Sequence, residues 1–285
     1  MTATDTPTDT PTDTPTGTLA VQLYSLREEL EQDRAGTLAR LAELGYRNVE
    51  PFGFGDWRTP ADDRLAKARA LRADLDAAGL SVCSLHASIA AEGLATLAEE
   101  CRILGTDTVF IPIPGLVEGF DGGDHFGRDI FGDLDTLTRF AARVDEAATE
   151  LAGHGIRLGY HNHDMEWTKL PDGRLGYDVF WQLVGSRAIA ELDVYWATVA
   201  DQDPAAVLRA LDGRVVAAHL KDGKAVRQEP QTPIGTGDVD VSAAIEAGGA
   251  ALAWHIAEID TTELDRFDLL ARNRSALTAM GRTTA

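Results

Sequence analysis

Two cysteines, Cys83 and Cys101, are all that 285 residues carry, which excludes a disulfide-stapled scaffold and a cysteine-built zinc site. No apolar run reaches the roughly 18 residues that a membrane-spanning helix needs. The first residues also lack the basic stretch followed by an apolar one that marks a secretory leader, so a cytoplasmic protein is expected. Positive charge is scarce: 26 Lys and Arg face 46 Asp and Glu, for a formal net charge of −20. Proteins that hold nucleic acid neutralise phosphates with clustered Lys and Arg, and no such cluster occurs, which argues against DNA or RNA as ligand. The acidity is read as a solubility feature of the surface.

What is present begins with a low-complexity tail. Residues 1–17, MTATDTPTDTPTDTPTG, have no bulky apolar side chain beyond Met1 and cannot bury enough surface to offset their chain entropy, so a disordered tail is expected there. Residues 18–285 are expected to form one domain, long enough to bury a full core. Within it a short apolar run, a polar turn and a helix-period stretch recur eight times. The strand candidates are 19–24, 47–51, 81–86, 108–113, 157–161, 188–193, 215–220 and 254–259. The clearest helical patterns cover 27–44, 61–78, 94–104, 134–152, 204–211 and 264–280. Gly45, Gly79, Gly105 and Gly155 each follow a helix pattern, where a left-handed cap ends a helix. Strands alternating with helices pair in parallel through right-handed crossovers, and eight such units predict an α/β fold, a closed (β/α)8 TIM barrel. The rival, a doubly wound open sheet, wants a Gly-rich phosphate loop after its first strand, and VQLYSLRE has none.

In a barrel the chemistry sits at the C-terminal ends of the strands. Polar residues concentrate there: Glu50, His86, His161-Asn-His163-Asp164, Glu191-Leu-Asp193, His219-Leu-Lys221-Asp222 and Glu258-Ile-Asp260. Side chains alternate along a strand, so His161 shares a face with His163, and His219 with Lys221. If one face points into the barrel mouth, His, Asp, His and Glu from strands five to eight converge. Mixed imidazole and carboxylate donors without thiolate suit a divalent metal such as Mn, Co, Zn or Fe, and Mg less well. Each residue alone has a plainer reading, a hydrogen-bonded structural histidine or, for Asp193, a helix cap; four on consecutive strands favour a metal site. The segment from Pro230 to Gly237 resembles a phosphate loop only superficially and is expected to be a flexible loop beside the site. Trp167 and Trp196, just beyond site strands, are placed to stack on a sugar or to pack in the core, and His125 and His154 are expected in solvent.

The stretches VQLYSLRE, GYRNVE, LGYHNHDMEW, AELDVYWAT, AHLKDG, PIGTGDVD and AEID resemble the sugar phosphate isomerase/epimerase superfamily, the xylose isomerase-like barrels that also include inosose dehydratases and endonuclease IV. The resemblance covers residues 18–280. It implies a divalent metal, manganese first, with cobalt, zinc, iron or magnesium as alternatives. The ligands it implies are His161 or His163, then Asp193, His219 and Glu258. It also implies proton transfer beside a carbonyl acidified by that metal. Glu258 matches the strand-eight glutamate of many 3-epimerases. The strand-five glutamate is not matched, because the position reads His161-Asn-His163, much as in inosose dehydratases. His163, Lys221 and Glu166 are therefore the candidates for the second proton carrier. Trp196 stands where several epimerases have a substrate-binding histidine, and Glu50 and His86 are expected to face substrate hydroxyls.

The leading expectation is a metal-dependent sugar isomerase or epimerase working through an enediol or enolate. The alternative is a lyase that eliminates water from an inosose or an aglycone from a 3-keto-glycoside. An abasic-site endonuclease is disfavoured by the acidic balance, and a sugar-binding barrel without chemistry is disfavoured by the full ligand set. The expected partner is a small sugar, unphosphorylated because no basic clamp is visible. Homo-oligomers are frequent in the superfamily. Specificity is expected in the loops 52–59 and 115–131, with Gly122, Gly123 and Gly127 suggesting a mobile lid.

Overall fold

A computed structural model describes residues 17–120 and 127–284. Most of the tail, together with Gly122, Gly123 and His125, lies outside the described residues. The chain is a nearly closed barrel of parallel strands wrapped by helices: β1 Gly17–Gln22, β2 Asn48–Glu50, β3 in two segments (Ser81–Val82 and Leu85–His86), β4 Thr108–Ile111, β5 Arg157–His161, β6 Ile189–Asp193, β7 Val215–Leu220 and β8 Trp254–Ala257. Every neighbouring pair is parallel. The first segment of β3 pairs with β2 and the second with β4, so one strand closes the barrel by changing partner midway. A short β9, Thr283–Thr284, pairs with Gly17–Thr18 at the base. β1 thus starts at Gly17, inside the stretch expected to be tail.

The helices follow the amphipathic pattern closely. α3 (Ala61–Ala78) and α4 (Leu94–Leu104) cover the expected spans, and Gly79 and Gly105 end them at φ of +68° and +81°, where a Cβ would be strained. The pattern over 27–44 is instead two helices, α1 Arg27–Gln32 and α2 Arg34–Glu43. Asp33 breaks it: in extended backbone its carboxylate accepts the N–H of Gly36, capping α2. The same device starts α6 (Leu134–Gly153), α9 (Pro204–Ala210), α10 (Val241–Gly248) and α11 (Arg266–Ala279), with Asp133, Asp203, Asp240 and Asp265 as caps. Part of the acidic excess therefore serves helix starts. The other helices are α5 Arg128–Gly132, α7 Gly176–Leu183 and α8 Val194–Val199.

Two apolar layers result. The larger lies between strands and helices; a small one, Ala20, Cys83, Phe110, Ala217 and Ile256, fills the lower barrel interior. Above it lies a layer of buried polar side chains. Gln22, Glu50, Ser84, His161, Glu191 and His219 are all at most 2% exposed, so each must be satisfied inside the barrel.

Candidate metal centre and cavity

The alternation of β5 to β8 carries this polar layer. His161 pairs in register with Glu191, and Asp193 with His219, so all four point into the mouth at matching heights. A register shift between Ala190 and Glu191 re-aims the end of β6. Asn162, the residue between the two strand-five histidines, is buried and accepts the Asp193 N–H at 3.0 Å, while its amide donates to the Asp193 carbonyl at 3.3 Å. It therefore pins the backbone that presents Asp193.

Asp193 has two roles. Its Oδ1 accepts the Trp196 N–H at 2.9 Å and caps α8, as a cap reading of this residue expects, while Oδ2 turns to the cluster. Oδ2 is ion-paired with the Lys221 ammonium 2.8 Å away. Donor atoms of Asp193, His219 and Glu258 lie within 4.8 Å of one another, as do those of His86, His161, Glu191 and His219. His219 belongs to both groups. Glu191 Oε2 is 2.7 Å from His86 Nε2, 3.0 Å from His161 Nδ1 and 3.3 Å from His219 Nε2. Although burial alone would raise its pKa, the facing histidines hold the carboxyl well below the usual range, so it only accepts and the ring nitrogens that face it carry the protons. With Nδ1 bearing the proton, His161 keeps an unprotonated Nε2, 3.8 Å from Asp193 Oδ2. His219 faces carboxylates on both sides, Glu50 2.8 Å from Nε2 and Glu258 2.8 Å from Nδ1; burial alone would lower its pKa, but Glu191 and Glu258 raise it well above the usual imidazole value. Burial, and then His219, keep His161 neutral far below the usual imidazole range.

Charge is balanced within the cluster. Burial would lower the Lys221 amine, but Asp193, Asp260 and Glu258 raise it well above its usual value. The ammonium bonds to Asp260 at 2.7 Å and also to Glu258. Burial would raise Glu258, yet Lys221 and His219 hold it ionised, well below the usual carboxylate range. Asp193 is pushed up to about 7, by burial first and despite Lys221.

A cavity of about 470 Å³ opens above this floor. Its lining includes His86, His161, His163, Trp196, Glu258 and Asp260, together with the apolar side chains of Tyr24, Phe52, Phe54, Ile113, Leu116 and Met165. His163 is lowered to about 4, chiefly by burial and then by Lys221, and its Nδ1 has no partner among the described residues. Glu50 does not reach this cavity. It is buried behind the histidines, accepting from Gln22 at 2.8 Å and Ser84 at 2.5 Å, with His219 Nε2 at 2.8 Å. Glu166 is also set back: it accepts the Tyr160 hydroxyl and the His163 N–H, each at 2.8 Å, and burial lifts it to about 7. Trp167 packs in the core, stacked on Tyr177 at 4.2 Å, so of the two site tryptophans only Trp196 borders the cavity.

The loop from Pro230 to Gly237 is ordered, contrary to the expectation of flexibility. It wraps Asp222, whose buried carboxylate accepts the N–H groups of Gly223, Gly235, Thr236, Gly237 and Val239 at 2.8–3.1 Å. The likeness to a phosphate loop is thus physical: an anion is cradled, but it belongs to the chain itself. A second concavity, about 650 Å³, lies between α7 and α9 and shares no lining residue with the cluster.

A parallel barrel with a buried imidazole–carboxylate cluster at its strand ends defines a class of small-molecule enzymes with a site able to hold a metal. Residues 38–247 match the family described as xylose isomerase-like TIM barrel, and the chain belongs to it. No curated protein matches the chain. Among solved structures, a sugar phosphate isomerase/epimerase from Parabacteroides distasonis is 21% identical, with a TM-score of 0.73 over 94% of this chain and 96% of that one. An L-ribulose 3-epimerase is 17% identical, with a TM-score of 0.62 over 93% and 94%. A probable 3-DHS dehydratase from Bacillus anthracis is 14% identical, with a TM-score of 0.65 over 92% and 98%.

Proposed function

We propose that the chain is a divalent-metal-dependent enzyme that enolises a keto-sugar, acting as an isomerase or epimerase. The observation that carries this reading is the convergence of Asp193, His219 and Glu258 under an open cavity, with His161 Nε2 3.8 Å from Asp193 Oδ2. These four would hold the ion, and the mixed donor set fits Mn, with Co, Zn or Fe as alternatives. A bound divalent cation would supply Lewis acidity, lowering the pKa of the C–H beside a substrate carbonyl.

The remaining work falls to side chains. Glu258 borders the cavity and is kept ionised by Lys221, so it is the group ready to take the proton from carbon. His163, neutral and with a free ring nitrogen beside the cavity, is the candidate to exchange a proton with the enolate or with a leaving hydroxyl. Lys221 does not border the cavity; it holds Glu258 and Asp260 charged. Glu166 orients the His163 backbone. Trp196 and His86 flank the substrate, and Glu50 supports His219 from behind.

One feature favours the lyase alternative. The strand-five donor is an imidazole already tied to Glu191 rather than a second carboxylate able to return the proton. Metal content by mass spectrometry of the purified protein, beside an Asp193→Asn, Glu258→Gln double variant, tests the site. About one Mn, Co, Zn or Fe per chain, lost in the variant, is expected; a protein that neither carries nor takes up metal would sink the reading. Incubation of keto-sugars in D₂O then separates the reactions, since epimerisation labels carbon and elimination creates a new chromophore.

A further inference from the structure

Lysine is scarce in this chain, four of the 26 basic residues, and Lys67, Lys169 and Lys224 are exposed. The fourth, Lys221, is 1% exposed. In a chain that otherwise uses arginine, a buried ammonium is a matter of shape: it is a compact point charge with three donors, where a guanidinium is a broad planar fork. Its surroundings are those of a bound cation. Nζ stands 2.8 Å from Asp193 Oδ2 and 2.7 Å from Asp260 Oδ2, and it also bonds to Glu258 Oε2. Three carboxylates from the ends of β6 and β8 thus close around one positive charge.

Two of the three are carboxylates that the metal reading needs. Asp193 has no second oxygen to give, because Oδ1 is held by the Trp196 N–H at 2.9 Å. Glu258 Oε2 is already shared between Lys221 and His219 Nδ1, the latter 2.8 Å away. A divalent cation on these oxygens would meet a like charge held by the same two atoms, in a buried place where water and salt screen little. The ammonium and the ion therefore compete.

The third carboxylate gives the ammonium somewhere to go. Asp260 borders the cavity, its side chain is 25% exposed, and Gln231 Nε2 holds it from another direction at 2.9 Å. Trp196, also on the lining, presents its ring 5.8 Å from Nζ. A flexible lysine stem that keeps Asp260 and gives up the other two carboxylates brings its charge to the cavity wall, with a carboxylate and an aromatic face as partners. Among the described residues, Arg227 is the only Lys or Arg now on that lining, and it is engaged by Asp164.

Resting on the metal reading above, we propose that Lys221 is a resident cation that yields Asp193 and Glu258 to an incoming divalent ion and swings onto Asp260, so that the cavity wall gains an ammonium only in the loaded protein. The test is reductive methylation of the full chain with formaldehyde, chelator-stripped and with Mn²⁺, read lysine by lysine by mass spectrometry. Lys221 should stay unmodified in the stripped protein and become methylated with Mn²⁺, while Lys67, Lys169 and Lys224 react equally in both. Beside it, calorimetric titration should show Lys221→Met binding Mn²⁺ at least about tenfold tighter than wild type, because a like charge has been removed; mere structural damage would act in the opposite direction. If that variant does not fold, the methylation of wild type decides alone. Mn²⁺ uptake without a rise in Lys221 reactivity, or a folded variant that binds Mn²⁺ no more tightly, overturns the proposal and leaves the metal reading standing. A wild type that takes up no Mn²⁺ overturns both, so the two failures are told apart.

Discussion

Glu191 is the residue on which the cluster turns. One of its oxygens faces three histidines, and this single buried carboxylate sets which nitrogen His161 offers to the mouth. Removing its charge while keeping its shape should free the His161 ring to take the other tautomer. Glu191→Gln is expected to weaken Mn²⁺ binding by about 10- to 100-fold with the fold intact, which calorimetry beside circular dichroism would check. The strand-end pattern in the sequence located Asp193, His219 and Glu258 because alternation puts them on one face. It left His161 and His163 as equals, since both lie on that face; only the proton on His161 Nδ1, donated to Glu191, separates them. Glu191 sits on the same face two residues before Asp193, and that spacing was the available signal. Glu50 and Glu166 show the limit of the method. Periodicity tells which way a side chain points but not how deep it lies, and both prove to be buried acceptors behind the cavity.

Among the elements, the β7–α10 connection shows how a motif's purpose can invert between sequence and structure. HLKDG and PIGTGDVD are separate in the chain, yet five N–H groups, four of them from the second stretch or the residues beside it, surround the Asp222 carboxylate of the first. The glycines allow this approach; a Cβ on Gly237 would lie 2.3 Å from Asp222 Oδ1. Stripping the carboxylate leaves several buried donors unmatched, each costing about 1–3 kcal/mol. Asp222→Ala is therefore expected to lower stability by about 3 kcal/mol or more and to release the 230–239 loop to proteolysis, read by denaturant unfolding and limited thermolysin digestion, which can cut before Ile234 or Val239. Element boundaries were legible where caps and periodicity agree, as in α3 and α4. They were misread at 27–44, because Asp33 looks like one more exposed residue of a single helix until its carboxylate is seen capping the next one.

For the molecule as a whole, the eightfold rhythm together with the missing Gly-rich loop after the first strand pointed to a barrel rather than an open doubly wound sheet. What the rhythm could not supply was the base of the barrel, where His255 lies fully buried beneath β1 with Nδ1 2.7 Å from Thr283 Oγ1 and no partner for Nε2 among the described residues. Burial lowers its pKa from 6.5 to about 4. A depressed imidazole contributes stability that is complete above the unfolded value and is lost as pH falls toward the folded one. Between pH 6.5 and 5 this amounts to about 2 kcal/mol. Wild type should lose about that much more than His255→Gln between pH 7 and pH 5 in urea unfolding.

The third strand gives the barrel a seam. Each of its two segments contributes only two residues to the sheet, and between them lie Cys83 and Ser84, the latter holding Glu50. The least tightly laddered joint of the wall is thus bonded to the residue that supports His219. Opening of this joint would loosen the residues behind His219, so amide exchange at residues 81–86 would time how long the floor of the cavity stays sealed from water.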